Sequence, residues 1–306
     1  MKRSVQAFAR RVLPASAVAS LRRSKHKLQQ ARIARLPVLG ETDFSDILAN
    51  DLGLGKRDTV FVHSSVDKLN LGFPFYRIIA LIRDAIGPQG TVLFPTYSNH
   101  RISSYQYLLQ GHVFNVRRTP SYMGLLSEFA RRHADAVRSL HPTKSVCAIG
   151  PLAKELTATH QHSPYPYDKG SPFFKLVEHN AKIIGLGVGH ASLSFTYCVA
   201  DALKDDFPVR IYHSQLFKAP CINYCGETEI VETYAQNMDI GNRHNAERYM
   251  KSYIPEALSQ ELDIKGMKFL RVDAAGLFVE MLRLAKNGIT CYPRAVYSQE
   301  YLASHH

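Results

Sequence analysis

The stretch Thr59-Val60-Phe61-Val62-His63-Ser64-Ser65 decides the fold. An unbroken β-branched and aromatic run that stops at an imidazole and two hydroxyls reads as a buried strand with polar residues at its end. Phe75 to Ile86 follows, with Ile78, Ile79, Ile82 and Ile86 on one helical face. Gly87-Pro88-Gln89-Gly90 is a turn. Thr91-Val92-Leu93-Phe94 is a second buried run, closing on Pro95-Thr96-Tyr97-Ser98. Strand, helix and strand with polar residues at both strand ends make a βαβ unit. In open α/β sheets, ligands bind at the carboxyl ends of such strands.

Further elements extend the pattern. The spacing predicts helices over Asp43–Leu54, Met123–His133, about Ser192–Lys204, Asn242–Ile254 and Ala274–Lys286, and a third strand over Ile183–Val188. From Val209 the signals turn β-like, then mixed. Arg138-Ser139-Leu140-His141-Pro142-Thr143-Lys144-Ser145 is dense in polar chemistry and feeds the apolar run Val146-Cys147-Ala148-Ile149. It reads as a polar loop delivering a strand, either an ordinary surface loop or a means of presenting side chains at a site.

Composition narrows the classes. A chain of 306 residues buries a sizeable core without staples. The five cysteines form no CxxC pair and the fourteen histidines supply no metal-ligand set, so a reduced, intracellular protein without a metal is expected. No apolar run approaches the ~20 residues of a membrane-spanning helix.

Charge is unevenly spread. No acid precedes Glu41, and residues 1–40 carry ten Lys or Arg. The remaining 28 basic residues face 26 acidic ones, so the net charge of +12 splits into +10 and +2. The high pI therefore gives no reason to expect a nucleic-acid groove in the body. Val5, Phe8, Ala9, Val12 and Leu13 stand at helical spacing beside Arg10 and Arg11. That pattern suits a basic amphipathic leader on an anionic membrane surface, an organellar transit peptide or a solvated arm. The division is a leader over residues 1–40 and one domain over 41–306, cytoplasmic and possessing at most a peripheral membrane contact.

Five motifs stand in order: His63-Ser64-Ser65, Pro120-Ser121-Tyr122-Met123-Gly124, Arg138 to Ser145, Gly170-Ser171-Pro172 and Gly185-Leu186-Gly187-Val188. Together, over roughly residues 41–212, the set resembles the aminoglycoside 3-N-acetyltransferase family. The resemblance implies an α/β three-layer sandwich with a mainly parallel central sheet. It implies transfer of an acetyl group from acetyl-CoA to a primary amine of an amino sugar, in an antibiotic or in a precursor of surface polysaccharide. It assigns Ser64, Ser65, Met123, Gly124, His141, Ser145 and Ser171 to the CoA half of the site, and Arg138 to a phosphate or to an ion pair. Tyr97 and Tyr105 are weaker candidates for the acceptor cleft, as are Asp205 and Asp206.

The chain departs from the family at the base. The family's Thr-x-x-His-x-x-Glu follows the Gly-x-Gly strand, placing an imidazole and a carboxylate on one helix face. Here the helix reads Ser194-Phe195-Thr196-Tyr197-Cys198-Val199-Ala200-Asp201. Matching by spacing puts Cys198 and Asp201 in those places, whereas matching on Thr196 puts Val199 and Ala202 there and leaves nothing catalytic; the first match keeps a reactive group and a carboxylate three apart. Three readings follow: Cys198 is a nucleophile; His190 or His63 serves as base; or the protein binds CoA without turning it over.

Overall fold

A computed structural model describes residues 15–99 and 101–304. The apolar leader positions Val5 to Leu13 lie outside them. Among the described residues ten strands form two sheets: β1 Thr59–Ser64, β2 Thr91–Pro95, β3 Phe114–Asn115, β4 Val137–Arg138, β5 Val146–Ile149, β6 Lys182–Leu186, β7 Tyr212–Ile222, β8 Thr228–Gln236, β9 Ser259–Ile264 and β10 Met267–Asp273. The large sheet has the order β4-β5-β2-β1-β6-β10-β9, and the small one β3-β7-β8.

At the centre β2, β1 and β6 are parallel, with Phe61 opposite both Leu93 and Ile183. The flanking strands pair antiparallel: β5 with β2 and β4, β10 with β6 and β9. Taken by direction, five of the seven strands run the same way.

The continuous apolar runs have a simple cause: both faces of the sheet are covered. Val60 and Val62 of β1 face a layer containing Phe44, Ile78, Ile82 and Leu126. Phe61 faces the opposite layer with Phe173, Leu176, Val199 and Leu277. The alternation repeats in β5, where Val146 and Ala148 face one layer and Cys147 and Ile149 the other. This is the three-layer sandwich.

Element ends differ from the sequence reading by a few residues. The first body helix is Glu41–Asp46, continued by a π-turn over Ile47–Asp51. The span expected to be one helix from Ser192 is two short 3₁₀ turns followed by Tyr197–Leu203. The leader also ends earlier than expected. Leu39 is fully buried and bridges to Leu71, so the packed body begins before Glu41. The helix Ala15–Ile33 leads into it and is tied down by Gln30, whose amide donates to the Asp67 carbonyl at 2.8 Å.

Candidate functional site

The carboxyl ends of β1, β2 and β6 gather the site. Ser65 N–H donates to the Leu186 carbonyl at 2.8 Å, locking the loop after β1 to the end of β6. Gly187 allows that approach. Its φ is +72°, and a Cβ there would stand 2.4 Å from the Ser65 carbonyl oxygen. Gly124, at φ +101°, brings the Met-Gly turn against the Ser64 carbonyl. Tyr122 N–H donates to the Tyr97 carbonyl at 2.9 Å, so the same turn is fixed to the exit of β2. A continuous lip results: Ser65, Ser64, Gly124, Tyr122, Tyr97. Ser64, Ser65 and Met123 are partly exposed and Gly124 is exposed.

The segment Arg138–Ser145 is not a surface loop. Arg138, Ser139, His141, Thr143, Lys144 and Ser145 are all buried. The Arg138 guanidinium donates to the carbonyls of Thr96 and Thr119, each at 2.5 Å, and to the hydroxyls of Thr96 and Ser145 at 3.1 and 3.0 Å. It also lies 4.7 Å from the Phe114 ring centroid. Burial, with Arg131 nearby, lowers its pKa to about 10, which leaves it charged at neutral pH. Among the described residues no carboxylate pairs with it; its donors bond to neutral oxygens of the protein.

The neighbouring polar groups are committed likewise. His160 Nε2 faces the Pro166 carbonyl at 2.9 Å and so carries the proton, which makes Nδ1 the acceptor for the Ser139 hydroxyl at 2.8 Å. His141 Nδ1 accepts from the N–H groups of Thr143 and Lys144 at 3.2 and 3.0 Å, closing a tight turn. Ser145 Oγ donates to the Thr96 carbonyl, and Ser171 caps the helix Pro172–Glu178 by accepting from Phe174 N–H at 3.1 Å. Arg138, His141, Ser145 and Ser171 therefore build the wall rather than present donors to a ligand. Of the residues assigned to the CoA half, Ser64, Ser65, Met123 and Gly124 keep solvent exposure, with the Ser65 hydroxyl donating to Asp67 Oδ1 at 2.5 Å.

The catalytic candidates separate in the same way. Cys198 is fully buried in the apolar layer, and burial followed by the charge of Asp201 drives its thiol well above its usual pKa. A thiol held protonated in a core is not a nucleophile, and that expectation is corrected. Asp201 is fully buried as well. Its carboxylate accepts from Tyr167 N–H and from the Tyr212 hydroxyl, both at 2.7 Å, and so joins the helix to its surroundings rather than orienting a base. Burial raises its pKa to about 7 against the pull of those two donors.

His63 is buried on the Phe61 face; burial lowers its pKa to about 4, and Nε2 has no partner. His190 is held at the β9 side: its N–H donates to Glu261 at 2.7 Å and its Nε2 meets Ser259 Oγ at 2.8 Å. Burial lowers the His190 pKa, with Glu261 opposing. Neither histidine lines either of the cavities beside the lip.

The first of those cavities, of about 630 Å³, opens beyond the end of β2. Asn99, Arg101 and Tyr105 line it from that side, Lys144 from the loop before β5, and His213, Gln236 and Asp239 from β7 and the end of β8. A second, of about 310 Å³, adjoins at His213 and is walled by Tyr165, Tyr212, Tyr234 and Asp205. The three tyrosine rings stand 5.1 to 6.1 Å apart. Asp206 lines neither, whereas Tyr105 lines the first and Tyr97 sits behind Lys144. Sequence reasoning passed over Lys144 and His213. Lys144 is one of 38 basic residues, and its one local signal is that it stands a residue before a buried strand.

Among the described residues no group of three or more His, Cys, Asp or Glu side chains is placed to hold a metal ion. No described helix is long and apolar enough to cross a membrane.

Known proteins share this architecture. The family model for aminoglycoside 3-N-acetyltransferase matches residues 61–284. Aminoglycoside N(3)-acetyltransferase III of Salmonella sp is 32% identical over 168 residues, which cover 50% of this chain and 57% of that protein. The chain thus spans little more than half the length of this curated relative. Among solved structures, AAC-IIIb in binary complex with CoASH superposes with a TM-score of 0.66 at 22% identity, covering 83% of this chain and 98% of that one. AAC-VIa bound to sisomicin superposes with a TM-score of 0.67 at 21% identity, covering 83% and 99%. Likeness at those identities concerns the fold.

Two outcomes follow from the burial of Cys198 and Asp201. Brief treatment of the native protein with a thiol reagent is expected to label exposed Cys225 and spare Cys198, read by peptide mass spectrometry, and Cys198→Ala is expected to keep whatever turnover the protein has. Asp201 holds its proton more tightly folded (about 7) than unfolded (~3.9), so it favours the folded state most at low pH. That contribution falls as pH rises through the window from about 4 to about 7. Urea unfolding across that window is expected to show wild type losing at most ~4 kcal/mol relative to Asp201→Asn; parallel curves for the two proteins would contradict it.

Proposed function

The chain belongs to the aminoglycoside 3-N-acetyltransferase family, and from that premise we propose that it moves an acetyl group from acetyl-CoA to a primary amine of an amino sugar. The observation that carries the reading is the continuity of the lip with the cavities. Partly exposed hydroxyls and a glycine turn, from Ser65 to Gly124, lead through Tyr122 to buried Tyr97, whose ring lies behind Lys144 at the edge of the cavity. Hydroxyls and backbone N–H groups suit the pyrophosphate and pantetheine arm of CoA. Tyrosine faces with Asp205 beside them suit an amino-sugar ring. The relatives named above fit this division, one bound to CoASH and another to sisomicin.

The acetyl group passes in one complex. The free amine attacks the thioester carbonyl carbon, the C–N bond forms, the C–S bond breaks, and CoA leaves as the thiol. Burial of Cys198 argues against a covalent route through its thiol and supports direct transfer without an acetyl-enzyme. Tyr97 and Tyr105 border the acceptor side.

The test is incubation of the full chain with acetyl-CoA and a panel running from sisomicin to glucosamine, following free thiol and the mass of the sugar. Amine-dependent thiol release with a gain of one acetyl group is expected, and initial rates should give intersecting rather than parallel lines. Stabilisation by CoA on heating with no thiol release across the panel would establish the silent binder instead.

For residues 1–40 the proposal is peripheral contact with an anionic membrane surface, supported by ten basic residues and no acid there. Removing residues 1–36 is expected to abolish co-sedimentation with phosphatidylserine vesicles and leave turnover unchanged; equal sedimentation of both forms would refute it.

A further inference from the structure

We propose that Lys144 is the proton acceptor of the transfer, the general base in place of the family's imidazole; this rests on the acetyltransferase reading above. The side chain is buried yet borders the cavity of about 630 Å³ beyond β2. Its Nζ lies 4.9 Å from the Tyr97 ring centroid, and the Tyr97 hydroxyl donates to Ser194 Oγ at 3.1 Å, on the segment entering the helix Tyr197–Leu203. Among the described residues no carboxylate oxygen lies within ion-pair distance of that ammonium. A buried lysine is ordinarily paired; one that is unpaired and faces a cavity meets its partner in what fills the cavity.

The surroundings favour the neutral amine. Burial lowers the pKa of Lys144 to about 8. The titratable groups around it are Arg101, His213 and Asp239 across the cavity, His141 on its own loop, and Tyr97 beneath it. The other candidates lack this position. Cys198 and Asp201 are enclosed in the core, His63 lines neither cavity, and His190 is bound to Ser259 and Glu261.

The step balances with groups in hand. As the acceptor nitrogen bonds to the thioester carbon, its surplus proton passes to neutral Lys144 Nζ. As the C–S bond breaks, the Lys144 ammonium returns that proton to the CoA sulfur. The products are amide and CoA thiol, and the lysine is restored. No oxidant or metal takes part.

The test uses the full chain, acetyl-CoA, and sisomicin or glucosamine as acceptor. Lys144→Met is expected to lower kcat by ~10²- to 10³-fold with KM for acetyl-CoA changed less than threefold. Lys144→Arg keeps the cation over Tyr97 but does not deprotonate; it is expected to be as impaired, and it carries the test if the Met variant fails to fold. Wild-type kcat is expected to rise with pH to a plateau above about 8, a limb that both variants lose. Competitive labelling with acetic anhydride, a readout independent of turnover, is expected to titrate Lys144 near 8 rather than near its ordinary ~10.4. Full activity in Lys144→Arg overturns the proposal in favour of a fixed positive charge. Persistence of the pH limb in Lys144→Met overturns it in favour of another base, with His213 next in the cavity. Either result leaves the acetyltransferase reading standing. Wild type that binds CoA but acetylates nothing overturns both.

Discussion

The site depends on one buried cation. Arg138 lies at the point where β2 exits, β5 begins and the turn before the Met-Gly segment passes, and it bonds to all three through Thr96, Ser145 and Thr119. Its partners are neutral oxygens, so the charge is solvated by fixed dipoles rather than cancelled by a carboxylate. Removing the guanidinium would leave the Thr119 carbonyl without its donor and the Thr96 carbonyl with the Ser145 hydroxyl alone, and a lysine has no fork to reach both together. The geometry of the lip is thus inherited from bonds made within the protein.

The polar groups around Arg138 extend the same logic. Ser139, His160 and the Val146 N–H form a chain in which every donor has an acceptor. His141 holds the N–H groups of the turn that ends in Lys144. That turn carries the lysine to the edge of the buried zone, where its ammonium lies over the Tyr97 ring and its side chain borders open volume. A satisfied interior network on one side and an unpaired amine on the other is the arrangement expected of a rigid wall supporting one reactive group.

The sequence made the sheet legible because burial on both faces leaves unbroken apolar runs, and Thr59–Ser64, Thr91–Pro95 and Val146–Ile149 were read almost to the residue. It did not disclose that β5 runs antiparallel to β2, because an apolar run carries no direction. Nor did it disclose that Arg138 to Ser145 is buried. Guanidinium, hydroxyls and imidazole are the composition of a surface loop, and what makes them interior is a set of acceptors at Thr96 and Thr119, tens of residues away. The Cys198 and Asp201 pair failed for a related reason. Helical spacing says that two side chains share a face, while packing decides whether that face looks into a cleft or into a core.

Asp201 is a buried carboxylate bonded wholly within the fold. With Cys198 three residues before it, it has no ring to orient, and its two oxygens turn to Tyr167 N–H and the Tyr212 hydroxyl. These bonds fasten the helix Tyr197–Leu203 to the segment before Ser171 and to the start of β7, which walls the aromatic cavity. The group thereby helps to place the wall of that cavity, and burial raises its own pKa to about 7. Proton transfer then requires an amine or imidazole on another element that reaches the cavity. The loop before β5 supplies one in Lys144, on a backbone already immobilised by Arg138 and His141, so a change of base needs no change of fold.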